Sequence, residues 1–295
     1  MATLTEADVA RALRAADVTR IDVGNARLAH WKLGTGPDLV FVHGWPLHSA
    51  TYRAVVPALA DSFTCHLVDL PGAGRSQHDA SNDFTLRGMA ASLRRALDAL
   101  GLARYGLVAH DSGAGIARFV AADDARVAGM VFGDTEIPGH TPWLIALYRT
   151  TLAVPGGVEV VRALLRLGAV RRSPLGFGGC FRDPRFVDGD FDAWFVRPLL
   201  TDRHYLDAQL GLLRHLDASE VERLRDVHAK IRVPVRLVWG TDDPIFPIAK
   251  ARAMQSQFAG RVDWVEIPGA RAFHHEDHAD HFAAQVREHF TRVFA

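Results

Sequence analysis

The stretch Leu107-Val-Ala-His-Asp111-Ser112-Gly113-Ala114-Gly115 decides how this chain is built. An apolar run of strand length, Tyr105–His110, passes without a linker into a helical pattern, Gly113–Ala122, with two reactive side chains at the join. So tight a turn tolerates only small residues two before and two after the side chain that it displays. For Asp111 those positions hold Ala109 and Gly113; for Ser112 they hold His110 and Ala114, and a histidine there collides with the turn. The register therefore selects Asp111 as the displayed nucleophile. The competing reading is an aspartate that merely caps the helix.

Outward from that turn, strand-length apolar runs alternate with helical stretches, the pattern of a mostly parallel sheet covered on both faces. The runs are Leu39–His43, Thr64–Val68, Tyr105–His110, Val127–Phe132, Val235–Trp239 and Val262–Ile267. An opening hairpin, Arg20–Val23 and Arg27–Leu33 around Gly24-Asn25, brings the expected sheet to eight strands. Leu86–Leu100 and Asp280–Phe294 read as further helices. From Ile137 to His228 the rhythm breaks into helical segments rich in aromatics and arginine, divided by Pro138, Pro142, Pro155-Gly156-Gly157 and Pro174. That span is too long for a crossover and predicts an inserted helical cap, 137–228, between two parts of one α/β core, 1–136 and 229–295.

Composition narrows the partner. Lys+Arg and Asp+Glu number 34 each, so no net field favours nucleic acid or an anionic membrane. With 48% hydrophobic and 23% charged residues the chain reads as globular, and the expected partner is a small apolar substrate. A homodimer is compatible with the sequence. Cys65 and Cys180 alone do not make a disulfide framework, and Met1 to Arg20 lacks the apolar region of a signal peptide; both predict a cytoplasmic protein.

Two more motifs flank the turn. Leu39-Val-Phe-Val-His43-Gly44-Trp45-Pro46 is a buried strand entering a tight turn, from which the N–H of Trp45 can face the site. With the N–H of Ser112 it makes a two-donor oxyanion hole. His43 reads equally as a substrate-side residue or a satisfied turn histidine. Asp69-Leu-Pro-Gly-Ala-Gly-Arg-Ser76 has neither a P-loop lysine nor GxGxxG, so it does not predict phosphate binding.

Together HGWP, DLPGAGRS, AHDSG, WGTDDPIFP and IPGARAFHHED, in this order and spacing, resemble the α/β-hydrolase superfamily over nearly the whole chain. The aspartate elbow resembles its epoxide hydrolase and haloalkane or haloacid dehalogenase branch. The resemblance implies that an acid orients a histidine base. Asp243, before Pro244, matches the acid position preferred here, and Asp134 in Phe132-Gly-Asp-Thr-Glu136 matches an earlier position that some members use. At the base position stands Ala272, before Phe273. Three readings follow: an engineered replacement of histidine by alanine, a base supplied by His274 from a shifted loop, or a natural binder without turnover. The first is preferred, because every other element of the constellation is intact. The run from His274 to His281 also reads as a metal site, a weaker alternative without a His-Glu-x-x-His helix; no metal or organic cofactor is expected.

An ionised aspartate attacks an sp3 carbon without a base and leaves an alkyl-enzyme ester, which base-activated water then hydrolyses. An epoxide additionally needs an acid at its oxygen, which the resemblance assigns to cap tyrosines: Tyr148 for the first, and Tyr205 as the nearest substitute for the second. Dehalogenases of this branch carry a halide-binding tryptophan after the nucleophile, or two carboxylate-gripping arginines, where this chain has Ser112 and Gly115. Epoxide hydrolysis is therefore the preferred expectation and dehalogenation the alternative, with Trp45, Trp143 or Trp194 as candidate halide ligands.

Overall fold

The computed structural model describes residues 4–216 and 218–295. Its strands are β1 (Thr19–Asp22), β2 (Ala26–Gly34), β3 (Asp38–Val42), β4 (Thr64–Val68), β5 (Gln77–His78), β6 (Tyr105–His110), β7 (Val127–Gly133), β8 (Val235–Gly240) and β9 (Val262–Ile267). All nine join one sheet, in the order β1-β2-β4-β3-β6-β7-β8-β9, with β5 beside β2. From β4 to β9 the pairs are parallel, and the β1–β2 hairpin and the β2–β4 pair are antiparallel. The eight strands expected from sequence are all present. The ninth, β5, has two residues and is too short to leave a periodic signal.

The helices are α1 (Glu6–Arg14), α2 (Leu86–Ala99), α3 (Asp111–Asp123), α4 (Trp143–Ala153), α5 (Gly157–Leu165), α6 (Gly168–Arg171), α7 (Arg197–Thr201), α8 (Arg203–His215), α9 (Ala218–His228), α10 (Ile248–Met254), α11 (His274–Asp277) and α12 (Ala279–Phe294). The central strands read as unbroken apolar runs because both sheet faces are covered. Leu39, Phe41 and Val108 face one apolar cluster, completed by Phe282, Val286 and Phe290 of α12 at four-residue spacing. Val40, Val42, Leu107 and Ala109 face the other, closed by Leu93 and Leu97 of α2 and Ile116 and Val120 of α3. Among the described residues no helix is long and apolar enough to cross a membrane.

Between β7 and β8 the described residues form helices and turns and no strand. Their interior is aromatic: Phe181 meets Phe191 edge-on at 4.9 Å between ring centroids, and Phe191 meets Phe195 at 5.0 Å. Phe181 also touches Phe273 at 5.6 Å, and Phe273 N–H donates to the Cys180 carbonyl, fastening this helical segment to the loop after β9. On its outer side Trp143, Leu147 and Val154 of the α4 region and Val160 and Leu164 of α5 stand exposed.

Candidate active site

Asp111 begins α3 directly at the end of β6, with φ +50°. That left-handed conformation costs a non-glycine residue on the order of 1–3 kcal/mol, and the packing around the turn holds it there. A Cβ added to Gly113 would lie 2.4 Å from the Val42 carbonyl oxygen, and one added to Gly44 only 2.6 Å from Asp111 Oδ2. Both glycines are therefore required by close approach. The backbone of β3's turn and the elbow touch with nothing between them.

The Asp111 carboxylate faces a cavity and accepts from the Trp45 N–H at 2.8 Å. The backbone N–H and the hydroxyl of Ser112 donate to it as well. Burial pushes this carboxyl well above the ordinary carboxylate range, the nearby Glu136 adds to that, and the donors at Trp45 and Ser112 oppose it. Two backbone donors thus converge on the Asp111 carboxylate.

The cavity, about 70 Å3, has room for a small molecule. Its floor comes from residues after the carboxyl ends of β3, β6, β7, β8 and β9: Trp45, Asp111, Glu136, Ile245 and Ala272. Leu144, Tyr148, Leu213 and Val221 of α4, α8 and α9 roof it. This is where ligands sit in open α/β sheets.

Glu136 was not anticipated from sequence. It is 4% exposed, and its Oε2 and the Asp111 carbonyl oxygen lie 2.7 and 2.8 Å from one hydroxyl, that of Thr135. Arg118 of α3, fully buried, donates to Thr135 and to the Glu136 carbonyl, and its guanidinium stands 3.7 Å from Glu136 Oε2. His228 accepts from Arg118 at 2.9 Å and is held neutral, pushed down to about 2 by burial and by that arginine. The one available signal was position: Thr135-Glu136 lies just past the carboxyl end of a central strand.

Asp134 and Asp243, the two candidate acids, lie side by side, each carboxyl within the other's influence. Burial raises both carboxyls well above their ordinary range. Asp134, at φ +39°, also accepts from the Gly240 N–H at 3.2 Å, and Asp243 from the Ile245 N–H at 2.7 Å. Ala272, 1% exposed, contributes its methyl group to the cavity wall, and its carbonyl accepts from His110 Nε2 at 2.7 Å.

His274 does not reach into the cavity, contrary to one of the three readings of the missing base. It opens α11, which turns it into the core, where Nε2 contacts Asp134 Oδ2 at 2.6 Å and the ring packs on Phe282. Burial pushes it down to about 4, so it is neutral there. His275 is spent on Thr51, which also donates to Glu276, the partner of Arg53 at 2.8 Å. Among the described residues no group of three or more His, Cys, Asp or Glu side chains is placed to hold a metal ion.

Tyr148 lines the cavity, with its hydroxyl on the Leu175 carbonyl. Tyr205 is a correction: its hydroxyl donates to the Pro46 carbonyl at 3.1 Å, behind the HGWP turn and outside the cavity lining. His43 is a satisfied turn histidine, accepting from the Leu70 N–H at 2.9 Å and lying 3.1 Å from the Gly44 carbonyl through its other nitrogen. The tryptophans are placed poorly for a halide. The Trp45 indole donates to the Gln209 carbonyl at 2.9 Å, Trp143 is 56% exposed, and Trp194 is not in the lining.

Comparison with known proteins agrees with this architecture. The alpha/beta hydrolase fold family model matches residues 37–166. Haloalkane dehalogenase 2 of Mycobacterium tuberculosis (strain ATCC 25618 / H37Rv) is 30% identical over 276 residues, 91% of this chain and 93% of that protein. The chain belongs to the α/β-hydrolase superfamily. A soluble epoxide hydrolase of Corynebacterium sp. (strain C12) is 34% identical over 117 residues, 40% of this α/β-hydrolase and 41% of that one. The solved epoxide hydrolase CorEH superposes with a TM-score of 0.79 at 22% identity, covering 94% of this chain and 99% of that one. The superfamily and these relatives make this protein a hydrolase.

Proposed function

We propose that this hydrolase opens a small, uncharged, apolar epoxide to a diol through an alkyl ester on Asp111. The observation that supports it is the Asp111 carboxylate, displayed at a strained elbow into an apolar cavity with the Trp45 and Ser112 N–H groups on it. Residues 137–228 act as the lid that excludes water, so the carboxylate reacts as a desolvated nucleophile. Glu136 stands against Gly115, where the resemblance puts an arginine in acid-specific relatives, and its carboxyl disfavours an anionic substrate. Tyr148 lines the cavity, and its hydroxyl must leave the Leu175 carbonyl to meet an epoxide oxygen.

Dehalogenation is the second reading, favoured by the 30% identity to a haloalkane dehalogenase. Alkylation at Asp111 is common to both. Ala272 removes the usual base, so turnover is impaired relative to a form with histidine there; a binder without turnover is the limiting case. The test is Ala272→His incubated with styrene oxide and with 1-bromobutane, against the same form carrying Asp111→Asn. Diol from styrene oxide, abolished by D111N, is the expected result. Unchanged product formation after D111N would sink the nucleophile assignment, and bromide release alone would move the substrate to halides.

A further inference from the structure

With histidine absent at 272 and His274 turned into the core, the cavity still contains, among the described residues, a buried carboxyl group besides Asp111. The cavity-lining imidazole among the described residues, His140, is engaged at both nitrogens, by the Ile245 carbonyl at 2.8 Å and the Lys250 ammonium at 3.1 Å. Glu136 lines the same cavity as Asp111, with its Oε2 beside the Thr135 hydroxyl and the Arg118 guanidinium. We propose that Glu136 is the general base of this chain, deprotonating the water that hydrolyses the Asp111 ester. This rests on the Asp111 reading above and names the group that completes it.

The order of events follows from charge. Before reaction, Asp111 and Glu136 repel one another across the Thr135 hydroxyl that both their residues contact. Alkylation turns Asp111 into a neutral ester and removes that repulsion. Arg118 is fully buried, and among the described residues Glu136 is the carboxylate within ion-pair reach of it; a buried cation strongly favours an ionised partner. Glu136 is thus held ionised, and so able to take a proton, when the ester is waiting. Water then gives a proton to Glu136 while its oxygen bonds to Cγ of Asp111, and the electron pair moves to the oxygen facing Trp45 and Ser112. Collapse breaks the Cγ–O bond to the alkyl group, the leaving alkoxide takes the proton from Glu136, and the carboxyl proton left on Asp111 passes to solvent or to the group that protonated the epoxide oxygen.

Intact-protein mass spectrometry with styrene oxide and 1-bromobutane, alongside product analysis, decides it. The unaltered chain should turn over one of them slowly, with no lasting adduct. Glu136→Gln should gain the mass of one adduct on the peptide carrying Asp111 and hold it, with hydrolysis slowed by ~10²–10⁴-fold. Adduct formation itself shows that E136Q is folded, and adding A272H to E136Q should restore turnover. If the unaltered chain also holds its adduct, or if E136Q turns over as fast as the unaltered chain, Glu136 is not the base. If no variant, A272H included, forms adduct or product, the Asp111 reading falls and this proposal with it.

Discussion

Asp111 is a carboxyl group kept from water, beside a second carboxyl group, on a backbone that resists its conformation. Each of those costs stability, and under the proposed function each serves reactivity. Because its proton is held more tightly in the folded chain than in the unfolded one, folding is penalised increasingly as pH rises from the ordinary carboxylate range, about 3.9. Asp111→Asn removes that penalty. Its melting temperature should match the parent's below about pH 3.9 and exceed it increasingly as pH rises through the raised value; equal melting curves at neutral pH would contradict the buried charge. The alkylation rate should climb over the same window, since only the ionised form attacks. Gly44→Ala tests the close approach at the elbow: its Cβ would meet Asp111 Oδ2 at 2.6 Å, so the carboxylate must move. Displacement of that size costs on the order of 10²-fold in alkylation, with thermal stability read alongside to separate misplacement from unfolding.

Among the elements, α4 carries the sharper distinction between substrates. One side of it gives Leu144, Ile145 and Tyr148 to the cavity, and the other exposes Trp143 and Leu147. An epoxide oxygen needs a proton as it leaves and a bromide does not. Tyr148→Phe should therefore slow reaction with styrene oxide by ~10²-fold while leaving 1-bromobutane within about twofold. Tyr205→Phe, at a residue bonded to Pro46 outside the cavity lining, should affect the two alike. Equal losses on both substrates in Y148F would remove Tyr148 from ring opening. The exposed stripe makes a prediction of opposite kind. Leu147→Glu with Leu164→Glu should leave the melting temperature within ~2 °C, because those side chains already stand in water, and a larger fall would show that the stripe is covered in solution.

For the molecule as a whole, the sheet was legible because its strands are buried on both faces and so read as unbroken apolar runs, Leu39–Val42 and Leu107–Ala109 among them. The elbow was legible because Ala109 and Gly113 leave Asp111 no competitor. What escaped was set by contacts that sequence spacing does not encode. Glu136 looks like an ordinary loop glutamate until Arg118, eighteen residues earlier on α3, is seen buried against it. Tyr205 looked like a cavity hydroxyl because its helix does reach the roof, through Leu213, but its own hydroxyl is spent on the Pro46 carbonyl. His274 sits two residues from the base position, and the onset of α11 between them reverses its direction. The HGWP turn, finally, is tied through both the backbone and the side chain of one residue. The backbone N–H of Trp45 holds Asp111 and its indole N–H holds Gln209 of α8, so one residue bridges the elbow and the roof. That indole is an optical reporter: of the six tryptophans, Trp45 is the one whose backbone N–H donates to Asp111. Its emission, followed in a stopped-flow instrument, should register the loss of charge on Asp111 as a fast phase and its return as a slow one, and Trp45→Phe should silence both.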